Sequence, residues 1–137
     1  MTIQTPNYLK TSLFQDGQAA GSIVPGSVRT LVDSLAGVSS AAQTSSYTAV
    51  LTDAGTVVEM NAAGALNFTV PPNSSVAYDI GAVIEVCQIG AGQVTLVAGA
   101  GVTLRTPTGT LTTRAQYSTV SIRKRGTDEW VVAGDLS

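Results

Sequence analysis

The sequence lacks the residues on which most enzymatic and metal chemistry depends. It has no histidine and a single cysteine, Cys87, which excludes a Ser-His-Asp triad, an intramolecular disulfide and a metal site rich in histidine or cysteine. Charged residues make up only 12% of the chain, and the formal net charge is −2. The basic excess that nucleic-acid binding requires is therefore missing. We expect a protein that is not an enzyme, has no cofactor or metal and does not bind nucleic acid.

Long apolar runs and targeting signals are also missing. No window approaches about 18 consecutive apolar residues, so we expect no membrane span and no membrane partner. The first residues, Met1 to Pro6, have neither the basic nor the apolar region of a secretory signal, which favours synthesis in a reducing cytoplasm. In that compartment Cys87, which ends a largely apolar run, is predicted to be a small buried hydrophobic residue.

The acidic residues show no catalytic pairing. Asp128 and Glu129 are adjacent, so on a strand their side chains point to opposite faces and cannot act as an acid–base pair. Glu59, Asp79 and Glu85 lie on or between separate predicted strands, and no spacing indicates that they converge. Because no carboxylate pair suited to acid–base catalysis is indicated, we again expect that the chain is not an enzyme.

The first 46 residues differ in composition from the rest of the chain. They contain few charges and many Ser, Thr, Gln, Gly and Ala residues, which cannot bury enough apolar surface to fold alone. Apolar residues nevertheless recur along this segment, at Tyr8, Leu9, Leu13, Phe14, Ile23 and Val24. The pattern predicts an arm, residues 1–46, that docks on a partner through these anchors; a disordered tail is the alternative.

One short helix is predicted within the arm, over residues 27–36. Ser27 is a suitable N-cap and Gly37 a suitable C′ residue. The spacing i, i+3, i+4, i+7 places four apolar side chains on one stripe: Val28, Leu31, Val32 and Leu35. Such a short helix is not stable alone, so its stripe must be covered by the following domain, a sister chain or another protein. Residues 39–46 are rich in Ser and predict a linker.

From residue 47 onward the apolar pattern changes to a period of two. Short β-rich runs bounded by turn residues occur at residues 47–52, 56–60, 66–70, 82–89, 93–98, 101–104, 117–124 and 129–133. Eight or so strands at this spacing, with no room for crossover helices, predict an antiparallel β-barrel or β-sandwich over residues 47–137. Trp130 is the largest apolar side chain and is expected to anchor the core near the last strand.

Two glycine motifs separate strands in the second half of the chain. Gly90-Ala91-Gly92 and Gly99-Ala100-Gly101 lack the third glycine and the following helix of a phosphate-binding loop, so both are predicted to be tight hairpin turns. Each motif is followed by a similar apolar segment. This short repeat predicts two neighbouring strands of a meander and not a solenoid.

The surface of the predicted β-domain has little charge. Arg123-Lys124-Arg125 is the only basic cluster; it is expected to protect a valine-rich edge from aggregation, and recognition of an acidic partner is the alternative. A β protein with so few charges must cover its edges and apolar faces. A homo-oligomer is the simplest way to do so.

Two blocks of the sequence resemble known phage proteins. The first, which continues into Val28, Arg29 and residues 31–35, reads Phe14-Gln15-Asp16-Gly17-Gln18-Ala19-Ala20-Gly21-Ser22-Ile23-Val24-Pro25. It resembles a short element near the N-terminus of tailed-bacteriophage head-decoration, head-fibre and tail-fibre proteins. The second block covers Tyr47 to Leu136 and includes Thr69-Val70-Pro71-Pro72-Asn73 and Trp130-Val131-Val132-Ala133-Gly134. It is similar to a β-domain of phage and prophage structural proteins.

This resemblance implies a virion component, and the short segment before the β-domain leaves no room for the long shaft of a tail fibre. We therefore expect a capsid decoration protein on the outer surface of the phage head, in which residues 1–46 bind the major capsid protein and the β-domain forms a homotrimer. The capsid-binding residues would be the six arm anchors and the four residues of the helix stripe. The alternative is a tail-fibre or tail-tip protein that binds the host, with a host-surface glycan as its partner.

Overall fold

The computed structural model describes residues 40–137, so the helix predicted over residues 27–36 lies outside the described part. The described residues form a single-turn 3-10 helix, Leu51–Asp53, and nine strands: β1 (Ser40–Gln43), β2 (Tyr47–Thr48), β3 (Val57–Met60), β4 (Leu66–Val70), β5 (Val83–Gln88), β6 (Val94–Ala98), β7 (Thr103–Arg105), β8 (Thr119–Gly126) and β9 (Glu129–Gly134). Each of the eight predicted runs overlaps one strand. The prediction of a mainly β domain is therefore confirmed for these residues.

The strands form two open sheets. The six-stranded sheet has the order β1-β3-β5-β8-β9-β7, and the three-stranded sheet has the order β2-β4-β6. Neither sheet closes on itself, so the barrel named in the sequence analysis is wrong. The chain alternates between the sheets from β1 to β6, and then completes the larger sheet with β7, β8 and β9.

The predicted antiparallel pairing is wrong for most of the domain. Five of the seven strand pairs are parallel, and only β5–β8 and β8–β9 are antiparallel. Parallel neighbours need a long crossover, which a helix usually provides. In the four parallel pairs formed by β1 to β6, a strand of the opposite sheet occupies the crossover: for example, β4 lies between β3 and β5, and β5 lies between β4 and β6. The first six strands are therefore three stacked two-strand coils.

Two further predictions need correction. Ser40–Gln43, assigned to the linker, form β1, which pairs with β3 and is extended by a hydrogen bond from the Asn61 backbone N–H to the Gln43 carbonyl (2.7 Å). The strands of the short repeat, β6 and β7, lie in different sheets and are not neighbours in a meander. In both cases pairing with a strand distant in sequence overrides the local pattern.

A single apolar core lies between the two sheets. The larger sheet contributes Val58, Met60, Ile84, Val86, Val120, Ile122, Trp130 and Val132, and the smaller one contributes Phe68, Val70, Val94 and Leu96. Trp130 on β9 is 1% exposed and meets the ring of Tyr78 edge to face at 5.3 Å, which confirms its predicted role as the large anchor of the core. Because alternate residues on each strand enter this core, the others form the outer faces of the sheets.

The glycine motifs are corners of the stacked coils and not hairpin turns. Gly90-Ala91-Gly92 carries the chain from β5 in one sheet to β6 in the other. It lies directly on the preceding corner, where the Gly92 N–H donates to the Ala62 carbonyl (2.9 Å). A Cβ atom at Gly90 or Gly92 would overlap the backbone of Ala62 or Gly64. The glycines are needed because two backbones meet here.

Candidate functional site

The ten residues predicted to bind the capsid lie outside the described residues. They are Tyr8, Leu9, Leu13, Phe14, Ile23, Val24, Val28, Leu31, Val32 and Leu35. Their role stays a prediction. The candidate surfaces described below therefore belong to the β-domain.

The outer face of the six-stranded sheet is the most distinctive surface of the domain. We use the name "outer face" for the side chains that alternate with core residues along β1, β3, β5, β8, β9 and β7. Val57 on β3 lies beside Glu85 on β5, and Val83 on β5 lies beside Arg123 on β8. Val83 is 39% exposed, and Glu85 and Arg123 are also exposed. Apolar and charged side chains therefore share this face.

The two halves of the outer face differ in net charge. Glu59 and Glu85 lie on neighbouring strands β3 and β5, and Glu59 lies beside Cys87. On the other half, Glu129 forms ion pairs with Arg105 and Arg125 (both 2.9 Å), and the hydrogen bond from Arg105 is the main cause of a lowered Glu129 pKa. Within residues 40–137, Glu59, Glu85 and Arg123 form no ion pair. The fold thus places Glu59 and Glu85 on neighbouring strands, which their spacing in the sequence did not indicate.

Cys87 lies on this outer face and not in the core. Along β5 the inward positions are taken by Ile84, Val86 and Gln88, so Cys87 points outward. It is half-buried, and the Thr119 hydroxyl contacts its sulfur at 3.5 Å. The prediction of a buried residue is therefore wrong. The alternation of apolar residues along β5 indicated that Cys87 faces outward, whereas the prediction of burial was based only on the apolar residues next to it in the sequence.

The basic cluster is divided between the two faces of β8. Arg123 and Arg125 are exposed, whereas Lys124 is 3% exposed because its position alternates with theirs. The Lys124 ammonium group donates to Asn73 Oδ1 (2.5 Å) and to the Tyr78 carbonyl (2.6 Å). Lys124 therefore fastens the loop between β4 and β5 to the sheet and is unavailable to an acidic partner.

A polar cluster closes the corner between β2 and β3. Asp53 Oδ2 accepts hydrogen bonds from the Tyr47 hydroxyl (3.0 Å) and the Val50 N–H (2.8 Å), and the Tyr78 hydroxyl donates to the Val50 carbonyl. Burial raises the pKa of Tyr78 well above its ordinary value, and the charge of Asp53 adds to the rise. Burial and the hydrogen bond to Asp53 also raise the pKa of Tyr47. Both hydroxyls are therefore held as hydrogen-bond donors, which suits a structural role.

A rigid turn presents Tyr117 to solvent. Tyr117 is 70% exposed and has a backbone φ of 69°, which is strained for a bulky residue. Its N–H donates to the Gln88 carbonyl (2.7 Å), and the neighbouring Gln116 side chain donates to the Ile89 carbonyl (2.9 Å). No sequence motif pointed to this residue. A positive φ outside glycine becomes visible only in the structure.

The other end of the same turn is fixed by Asp135. Its carboxylate accepts two hydrogen bonds from Arg114 (2.7 and 3.1 Å) and one from the Ser118 hydroxyl (2.7 Å). The bonds from Arg114 are the main reason that the Asp135 pKa is lowered. The turn is therefore anchored on both sides while the Tyr117 ring remains free to contact another molecule.

The described residues provide no metal centre and no membrane-crossing helix. Among residues 40–137, no three or more Cys, Asp or Glu side chains are grouped so that they could hold a metal ion. The single 3-10 turn in this part of the chain is far too short to cross a membrane, and no other helix there could do so.

Comparisons with known proteins do not extend this description. No family model, no curated protein and no solved structure matches the chain.

Proposed function

We propose that the chain is a bacteriophage capsid decoration protein, located in the virion on the outer surface of the head. In this proposal the N-terminal residues bind the major capsid protein, and the β-domain associates as a homotrimer that projects outward. The protein stabilises the head by adding buried area across the seams between capsid subunits, which raises the free energy needed to open the shell. It acts as a cement and not as a catalyst.

The division of the chain into two units is the observation that best supports this proposal. The units are Met1–Gly37 and Val38–Ser137. Six apolar anchors and the predicted helix stripe lie in the first unit, whereas the core described for the second is built from Ala49 to Val132. The two open sheets and their shared core support a sandwich-like body for the second unit. In this proposal the anchors of the first unit bind the capsid.

Deletion of residues 1–26 tests the proposal. We expect the truncated chain to keep the far-UV circular dichroism and melting temperature of the β-domain but to lose co-sedimentation with phage heads that lack this protein. The physical reason is that buried apolar anchors carry most of the binding energy of an interface. Retention of full binding by the truncated chain would refute the role of the arm.

A full-length variant provides a finer version of the same test. Leu13→Ser combined with Phe14→Ser removes two anchors and leaves the chain length unchanged, and Thr108→Ser in an exposed loop of the β-domain is the matched control. We expect weakened binding from the double variant and unchanged binding from the control.

A host-binding protein of the tail is the second candidate, and Tyr117 favours it. A rigid, exposed aromatic ring beside polar side chains can stack on a sugar ring, so a host-surface glycan is the corresponding partner. The copy number per virion, measured by quantitative mass spectrometry against the major capsid protein, separates the two candidates. Hundreds of copies support a cement on the head lattice, and about a dozen or fewer support a tail position.

A further inference from the structure

The outer face of the six-stranded sheet has the composition of an interface. Glu59, Glu85 and Arg123 on this face have no ionic partner among residues 40–137. Between these charges lie partly exposed apolar side chains, including Val57, Val83 and Cys87. Apolar patches bordered by charge are typical of surfaces that bind another protein.

The charge pattern on this face complements itself. Glu59 and Glu85 give the half formed by β3 and β5 two negative charges. Arg105, Arg123 and Arg125 against Glu129 give the half formed by β8, β9 and β7 two net positive charges. One molecule therefore carries both of the surfaces that a charge-paired contact requires, and contacts that join two different surfaces of identical chains can close into a ring.

The strand at the edge of the acidic half, β1, also lacks the features that usually prevent pairing with another chain. Among residues 40–137, β1 (Ser40–Gln43) pairs only with β3, and it has no charged residue and no proline to discourage pairing with another strand. The opposite edge strand, β7, ends at the exposed Arg105. Within the described residues, this edge strand and the carboxylates of Glu59 and Glu85 are thus on the same side of the sheet.

From these observations we infer that the outer face is the contact between copies of this chain, with the acidic half of one copy against the basic half of the next. Glu85 and Arg123 are the central charges of the contact. Cys87 lies within it and loses exposure when the copies associate. This inference deepens the proposed function and rests on it for the expected number of copies, which is three.

Charge reversal in the full-length chain tests the contact. We expect the wild-type chain to associate, and Glu85→Arg and Arg123→Glu each to raise the half-dissociation concentration at least about tenfold, since like charges then face each other. Native mass spectrometry over a dilution series measures this concentration. Asp79→Arg is the matched control for Glu85→Arg: it makes the same change of charge at an exposed residue outside both sheets, and we expect it to leave association unchanged.

Mixing the two variants separates contacts between chains from effects within one chain. Within a chain, Glu85 and Arg123 lie diagonally on neighbouring strands, so each variant also changes a local pair. Mixing cannot relieve repulsion inside a chain. Where a Glu85→Arg chain contacts an Arg123→Glu chain, however, opposite charges again face each other across the contact. We expect assemblies that contain both variants at concentrations at which each variant alone is dissociated.

The single cysteine offers an independent readout. We expect Cys87 in the wild-type chain to react with a maleimide more slowly when the copies are associated than after dilution, and Glu85→Arg to abolish this difference. A wild-type chain that is monomeric at all concentrations, or an assembly that neither variant weakens, would overturn the inference. A dimer held by this contact would support the proposed contact surface and contradict the trimer. Failure of the wild-type chain to bind phage heads, with association between copies intact, would contradict only the proposed function.

Discussion

Lys124 illustrates how the position of a residue along a strand decides its role. It lies between two exposed arginines in sequence, but the alternation of β8 turns its side chain inward, where it donates to Asn73 Oδ1 and the Tyr78 carbonyl. A buried ammonium group is costly unless its hydrogen bonds are made. These two oxygens are both neutral, so the lysine serves as a bridge between loop and sheet and not as half of an ion pair.

Replacement of Lys124 by methionine should destabilise the domain by about 2–3 kcal/mol. The substitution keeps the length of the side chain but leaves two oxygens in the protein interior without their donor. Urea unfolding monitored by Trp130 fluorescence measures the effect. Arg125→Met is the control, since the exposed ion pair of Arg125 with Glu129 is worth little. Equal stability of the two variants would contradict the bridging role.

Tyr78 should make the domain sensitive to alkaline pH. In the unfolded chain a tyrosine ionises near pH 10, whereas burial and Asp53 raise the pKa of Tyr78 in the folded state. Below the unfolded pKa both states keep the proton and the stabilisation is fully present. Above it the unfolded state loses a proton that the folded state retains, so the free energy of unfolding falls as pH rises.

The Tyr78→Phe variant tests this linkage through the slope of stability against pH. We expect it to be less stable at neutral pH by about 0.5–1.5 kcal/mol, because the hydrogen bond to Val50 is lost. From about pH 9 to about pH 11 its stability should fall less steeply than that of the wild type. Tyr117→Phe, at an exposed position, serves as the control. An unchanged slope in Tyr78→Phe would show that Tyr78 does not cause the alkaline loss.

At the scale of elements, the corners determine how the strands pair. The corner at residues 89–93 stacks on the corner at residues 61–65, and the Leu66 N–H donates to the Gln93 carbonyl (2.9 Å). This stacking places each coil in register with the one before it. It also explains why parallel pairs form without helices, since each corner sends the chain to the other sheet and the following corner brings it back.

A pair of glycine variants tests the stacking of the corners. Gly92→Ala should destabilise the domain by about 1–3 kcal/mol, because the added Cβ would overlap the backbone of Gly64 and force the corners apart. Gly64→Ala is the matched control, since a Cβ on that side of the same contact meets nothing within 4 Å. Thermal unfolding compares the two variants. Equal loss of stability in both would contradict a specific role of the close approach.

At the scale of the whole molecule, the described core and the outer face use alternate residues of the same strands. The described core uses the inward residues of β3 to β9, so the outer face is free to differ in charge from strand to strand. The proposed arm and the outer face would then act in different contacts, one with the capsid and one between copies. Variants in each can therefore be tested separately.

Much of the local structure could be predicted from the sequence alone. Alternation of apolar residues and the turn residues between runs depend on neighbours a few positions apart, so all eight strands after residue 46 were predicted close to their observed positions. The buried role of Trp130 followed from its size. Lys124 also lies at the same alternate positions as Val120 and Ile122, which indicates that its side chain points inward. The prediction for this cluster used only its positive charge.

The tertiary structure decided which strands are neighbours and in which direction they run. Glu59 and Glu85 are far apart in sequence, and they lie on neighbouring strands because the chain passes through the other sheet between them. The unfavourable φ of Tyr117 likewise depends on hydrogen bonds to a distant strand end. Periodicity records which face of a strand is buried, whereas pairing depends on the path of the whole chain, which no local pattern contains.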